Sequence, residues 1–133
     1  MKRKSAFSYY GTPLSNPMTQ WSGVSVDRKM VAVSLWRDGF RGPGGRMVYE
    51  KSDTSDWADG GAKRLFFLHL QHAVDHCEGL VRVVMVVRDP SNPSRTIDCY
   101  PARNVIMRVV ALDTKRCTFR LEQVDSEALK SAA

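Results

Sequence analysis

The chain has 133 residues, of which 43% are hydrophobic and 26% charged, with a net charge of +6 at pH 7. This length allows one domain of ordinary size and hardly two, and the composition is that of a globular protein. Length and composition together exclude a wholly disordered chain, a collagen-like fibre, a disulfide-dense miniprotein and a (β/α)8 barrel, which needs roughly 250 residues.

Residues 1–20 show neither a helical nor an alternating apolar pattern. Three basic residues stand near the beginning of this stretch, and Ser, Tyr, Pro and Asn dominate the rest of it. Such a composition offers little apolar surface to bury. We therefore predict a flexible basic N-terminal arm over residues 1–20.

Two strands are predicted after this arm. Trp21–Val26 is a short candidate, and Met30–Trp36 is rich in β-branched and apolar residues, as strands usually are. Alternation along the second strand predicts a buried face made of Val31, Val33 and Leu35.

A glycine-rich loop, Asp38–Arg46, comes after the second strand. Four glycines and one proline occupy its nine positions, which excludes regular structure. A short strand is predicted next, over Arg46–Glu50. The acidic stretch Asp53–Gly61, which contains Trp57, is predicted to form turns.

Ala62–Glu78 is predicted to form an amphipathic helix. At 100° per residue, Phe66, Leu70, Ala73 and Cys77 fall within about 60° of one another, and Phe67 and Val74 extend this apolar face. Gly79 supplies the usual C-terminal stop. An apolar face of this kind needs a sheet or another helix to pack on.

The next stretch predicts a central strand and then a shorter one. Leu80–Arg88 is apolar on both faces in its middle, which is typical of a strand covered on both sides. Asp89–Ser94 has the composition of a loop. Arg95–Tyr100 is then predicted as a strand that stops at Pro101.

Val105–Leu112 and Cys117–Val124 are predicted to pair as an antiparallel hairpin. Four residues between them can form the turn. Cys117–Val124 alternates apolar and polar side chains, and Val105–Leu112 is apolar except for Arg108. The predicted register places Leu112 opposite Cys117 and Val110 opposite Phe119. Val110 and Phe119 would then both face the core.

The predicted elements define an α+β fold. One helix against five to seven strands favours a curved, mainly antiparallel sheet or a partial β-barrel with one packed helix. Residues 21–124 are predicted as a single globular domain, and residues 125–133 as a frayed tail.

This layout resembles the PUA-like group of small barrels, which includes the EVE and ASCH domains. The likeness rests on a basic surface, an early strand ending in Leu35-Trp36-Arg37-Asp38 and a late hairpin that contains Arg108-Val109-Val110. It covers roughly residues 21–124 in layout and carries over no site residue. The resemblance implies binding of RNA or of modified bases.

The positive charge is concentrated in the first part of the chain. Residues 1–50 hold eight basic and three acidic side chains, a net charge of +5. Such an excess attracts phosphate backbones whatever their base sequence, so that DNA or RNA is the expected partner. The alternative is that this charge serves solubility alone.

The cysteines and the N-terminus predict a cytoplasmic protein. The three cysteines, an odd number, show no CxxC spacing, which indicates reduced thiols. The initial Met-Lys-Arg-Lys is not followed by the apolar segment of a signal peptide. Since the longest apolar run, Val83–Val87, is far below the ~20 residues that span a bilayer, no membrane partner is expected.

All three histidines lie on the predicted helix, at positions 69, 72 and 76. His72 and His76 have the i, i+4 spacing with which two imidazoles can reach one metal ion. A glutamate of the HExxH type does not stand between them, and the more frequent arrangement is a stripe that covers the border between helix and sheet. We expect no bound metal and no other cofactor.

The best candidates for a ligand site are aromatic and basic residues beside loops. Glycine lets the backbone approach a phosphate, arginine can grip it with two donors, and aromatic rings can stack on an unpaired base. Trp21, Trp36 and Trp57 all flank loops. The predicted nucleic-acid-binding residues are Lys2, Arg3, Lys4, Trp36, Arg37, Phe40, Arg41 and Arg46.

These observations predict a nucleic-acid-binding module that takes up an unpaired or modified base. No catalytic residue is assigned, because neither a nuclease motif nor a convincing thiol site is present. Two other classes stay open: a small metal-dependent enzyme centred on His72 and His76, and a homodimeric accessory protein.

Overall fold

A six-stranded mixed sheet forms the centre of the fold. The computed structural model of the chain describes residues 2–16 and 19–125. In chain order the elements are α1 (Arg3–Tyr9), β1 (Ser22–Val24), β2 (Val31–Trp36), a 3-10 turn (Arg37–Gly39), β3 (Val48–Lys51), α2 (Gly61–His76), β4 (Leu80–Asp89), β5 (Asn92–Asp113) and β6 (Thr118–Val124).

The strands lie in the order β1-β2-β4-β5-β6-β3, and the sheet is open at both ends of this row. β2 and β4 run parallel, whereas the other neighbours are antiparallel. The predicted α+β class and the mainly antiparallel sheet are confirmed. Within the described residues the sheet does not close into a barrel, however, and two helices pack on it where one was expected.

β2 and β4 are buried on both faces because a helix covers each side of the sheet. Val31, Val33 and Leu35 belong to the larger core, together with the apolar face of α2, as alternation along β2 predicts. Ala32 of β2 and Val84 of β4 belong to a second cluster, under α1. Coverage on both faces explains the continuous apolar run of β4.

α2 buries the predicted apolar face except at Val74, which is 42% exposed because it lies at the edge of that face. Phe66, Phe67, Leu70 and Ala73 are all at least 97% buried. The helix ends two residues earlier than predicted, at His76. Glu78 and Gly79 then take positive φ angles of 58° and 76°, which no regular helix accommodates.

The prediction of a flexible basic N-terminal arm over residues 1–20 is wrong for Arg3–Tyr9, which form α1. α1 places Ala6 and Phe7 against β4 and β5, and both side chains are fully buried. Gly11, with φ of 69°, and Thr12, whose Oγ1 donates to the Phe7 carbonyl at 3.0 Å, end the helix. A seven-residue helix has no stability of its own, so that this contact with the sheet must maintain it.

β5 and β6 form the predicted antiparallel hairpin, but with a different register. Leu112 pairs with Phe119 rather than with Cys117, and a bulge at Val110 shifts the pairing beyond it. Phe119 is buried as predicted, whereas Val110 is 46% exposed. The prediction for Val110 is wrong because Val110 is itself the extra residue of the bulge, without a partner on β6, so that it leaves the regular alternation of the strand.

Pro101 interrupts the regular pairing of β5 but does not end the strand. β4 pairs with β5 on both sides of a wide irregularity, in which Val84 faces Pro101 and Arg82 faces Ile106. The two strands predicted around Pro101 are therefore one bulged strand. The loop predicted over Asp89–Ser94 is shorter in the structure, since β5 begins at Asn92. Except for Asp125, the predicted tail of residues 125–133 lies outside the described residues.

Candidate nucleic-acid interface

A cleft of about 520 Å³ opens at the carboxyl end of β2. β1 pairs with the first half of β2, Val31–Val33, and the second half extends past β1 into the cleft. Ser34, Leu35 and Trp36 of this second half all line it. The volume lies within the range of about 300–1,000 Å³ that is usual for small-molecule pockets.

Aromatic rings form one wall of the cleft. Trp21 and Trp57 meet edge to face, with ring centres 5.7 Å apart, and Trp57 also lies 5.5 Å from Phe66 of α2. All three rings line the cleft, and both indoles are half-buried. Edge-to-face contacts within the core hold these rings in place while part of each indole stays accessible.

Three cationic side chains line the cleft from three different elements. Arg3 comes from α1, Lys51 from β3 and Arg88 from β4. Among the described residues of the lining, Asp56 is the acidic one, and it lies 3.9 Å from the Lys51 ammonium group. The lining therefore carries a positive charge beside an aromatic wall.

Arg88 is the most firmly held of these cations. Its Cζ lies 3.8 Å from the centre of the Trp36 ring, and its Nε donates to Asp38 Oδ1 at 3.1 Å. Its Nη1 donates to the Pro93 carbonyl at 3.1 Å. The parallel pairing of β2 with β4 sets Trp36 beside Val86, and Arg88, two residues further, projects on the same side of the sheet.

Tyr49 forms part of the cleft floor. The residue is 97% buried, and this burial raises the pKa of Tyr49 to about 12. Gly39 lies directly against its ring. A Cβ added at Gly39 would come within 2.6 Å of a Tyr49 ring carbon, which explains glycine at this position.

Two of the eight predicted binding residues, Arg3 and Trp36, line the cleft. Lys2 and Lys4 are exposed on either side of Arg3. In the glycine-rich loop, Phe40 packs against Tyr49 with ring centres 5.0 Å apart, and Arg41 pairs with Glu50 at 3.4 Å. Arg37 and Arg46 are exposed outside the cleft.

Lys51 and Arg88 were not among the residues predicted to bind nucleic acid. Both lie at the ends of strands. Arg88 directly follows the apolar run of β4, and a single arginine at such a position does not by itself indicate a binding site. The closeness of Arg88 to Trp36 depends on the parallel pairing of β2 with β4, which joins residues 50 positions apart. The tryptophan pattern was the stronger signal, because all three tryptophans flank loops and all three line the cleft.

The helix histidines lie at the border between α2 and the β1–β2 hairpin. His69 Nδ1 lies 2.7 Å from Ser22 Oγ, and the His72 and His76 ring centres are 4.9 Å apart. Within residues 2–16 and 19–125, no three His, Cys, Asp or Glu side chains are grouped so that they could hold a metal ion.

Compared with known proteins, the chain matches no family model, no curated protein and no solved structure. In the part of the chain that the structure describes, no helix combines the length and the apolar character needed to cross a membrane.

Proposed function

We propose that the protein binds single-stranded nucleic acid, DNA or RNA, and takes one unpaired base into the cleft. The observation that carries the proposal is the composition of the lining: three tryptophans and three cations surround one cavity of about 520 Å³. Aromatic rings can stack on the faces of a base, and Lys and Arg can form ion pairs with the phosphates on either side of it.

The proposal specifies an unpaired base because a base within a duplex is stacked on its neighbours and paired. Such a base has to leave the helix before it can enter a pocket, and unpairing costs a few kcal/mol. Bases in single strands and loops are already unpaired, so that this cost does not arise for them. Lys2 and Lys4 extend the positive surface beside Arg3, while Arg37, Arg41 and Arg46 offer further phosphate contacts outside the cleft.

The test is a salt titration of oligonucleotide binding by fluorescence anisotropy. For single strands, the logarithm of affinity should fall with the logarithm of salt concentration, with a slope of about −0.7 for each phosphate contact. Lys51→Gln should weaken binding and make this slope smaller by about that amount. Arg64, exposed on α2, supplies the matched control, and Arg64→Gln should leave both quantities unchanged. Absence of binding to every single-stranded form at low salt overturns the proposal.

A further inference from the structure

Arg88 covers one face of the Trp36 ring. The guanidinium lies over the indole, with its Cζ 3.8 Å from the ring centre. Trp36 also packs against the apolar cluster beneath α1. A base can therefore reach the covered face of Trp36 only if Arg88 moves away.

Several contacts oppose that movement. Arg88 would lose its ion pair with Asp38, its hydrogen bond to the Pro93 carbonyl and its contact with the indole. Stacking of one base on the uncovered indole would replace these three interactions with one. Since a guanidinium is planar and weakly hydrated, it can itself serve as a stacking surface for a base.

We infer that the base stacks on the guanidinium of Arg88, with Trp36 behind it as support. This inference rests on the proposed function and assigns the contact that would hold the base. The Arg88 side chain is 34% exposed and lines the cleft, so that a ligand can reach it. The ligand class that fits is a planar heteroaromatic ring attached to a phosphate chain.

Asp38 gives Arg88 a role different from that of Lys51. The carboxylate lies 2.9 Å from Arg88 Nε and compensates the charge of the guanidinium. Arg88 should therefore contribute to affinity through its planar shape, with little effect on the salt dependence of binding. Lysine at this position retains the charge but lacks the plane.

The test compares Arg88→Lys with the wild-type protein on a single-stranded oligonucleotide and on the same strand with abasic nucleotides. On the normal strand we expect about tenfold weaker binding by Arg88→Lys, with an unchanged salt slope, because one base stack is lost. On the abasic strand both proteins should bind with equal affinity. Arg64→Lys, on the exposed side of α2, is the matched control and should bind both strands as the wild type does.

Two results would overturn the inference while the proposed function stands. In one, Arg88→Lys binds the normal strand as tightly as the wild type, which would show that charge alone is sufficient. In the other it binds more tightly, which would show that Arg88 blocks Trp36 and has to move. A wild-type protein that binds no strand would instead refute the proposed function itself.

Discussion

The ring of His72 is held by two groups of a single residue, Arg28. His72 Nε2 lies 2.8 Å from the Arg28 carbonyl, and His72 Nδ1 lies 3.3 Å from the Arg28 guanidinium. Since the carbonyl can only accept a hydrogen bond and the guanidinium can only donate one, both contacts are satisfied when Nε2 donates to the carbonyl and Nδ1 accepts from the guanidinium. Arg28, at φ of 62° in the β1–β2 turn, is thereby fixed to α2.

This arrangement leads to a prediction about metal binding. Both ring nitrogens of His72 are engaged with Arg28, so that the i, i+4 pair with His76 does not offer two available ligands. We expect elemental analysis of the purified protein to find no stoichiometric transition metal. About one zinc ion per chain, lost in a His72→Ala variant, would contradict this expectation.

The second prediction concerns stability in mild acid. Burial, reinforced by electrostatic repulsion from His72 and from the Arg28 guanidinium, lowers the pKa of His69 from 6.5 to about 4. The unfolded chain therefore binds a proton at His69 before the folded protein does. This contribution to stability is fully present above pH 6.5 and is lost progressively as the pH falls from 6.5 to 4.

Urea unfolding at about pH 7.5 and about pH 5 measures this effect. The wild-type protein should have a lower free energy of unfolding at the acidic pH. In His69→Gln, the free energy of unfolding should fall by less between the two pH values. Gln71→Ala, at a half-buried position on the same helix that does not titrate, serves as the control and should follow the wild type. If the free energy of unfolding of His69→Gln falls as much as that of the wild type, other groups cause the pH dependence.

The third prediction tests whether α1 is an integral part of the fold. Phe7 is fully buried between α1 and the sheet, and truncation of such a side chain usually costs about 3–5 kcal/mol. Phe7→Ala should lower the free energy of unfolding by an amount in that range. Tyr9→Ala in the same helix should have a far smaller effect, because Tyr9 is 52% exposed. Equal, small effects of both substitutions would mean that α1 does not contribute to stability.

The fourth prediction concerns the floor of the cleft. A methyl group at Gly39 would meet the buried Tyr49 ring at 2.6 Å, so that Gly39→Ala should cost about 1–3 kcal/mol of stability. Gly44, in the same loop, has no neighbouring atom within 4 Å of an added Cβ, and Gly44→Ala should change stability by less than about 0.5 kcal/mol. Thermal unfolding of both variants measures the difference. Equal unfolding temperatures would contradict the close contact between Gly39 and Tyr49.

The spacing of apolar residues was sufficient to predict the elements that have one strongly apolar face. The 3.6-residue period of α2 and the alternation of β2 identify their buried faces, because each element has one strongly apolar surface. α1 has only seven residues, and its stability comes from contacts with β4 and β5 that no local pattern encodes. The register of the β5–β6 hairpin depends on the bulge at Val110, which alternation alone does not reveal.

The candidate site was predictable in part for the same reason. Tryptophans beside loops pointed to the cleft, and the basic start of the chain pointed to Arg3. The Trp36–Arg88 contact requires knowledge that β2 and β4 run parallel and pair with each other. Such pairing is set by the whole sheet rather than by either strand. The resemblance to PUA-like domains stays a prediction.

Intrinsic tryptophan fluorescence is the most direct measurement of the central proposal. All three tryptophans of the chain line the cleft, so that we expect a base entering it to alter the emission. Titration with a single-stranded oligonucleotide should change the fluorescence and reach saturation, and a blunt duplex of the same sequence should cause far less change at equal concentrations. If anisotropy shows that the single strand binds while the tryptophan emission stays constant, nucleic acid binds outside the cleft and the proposal is contradicted.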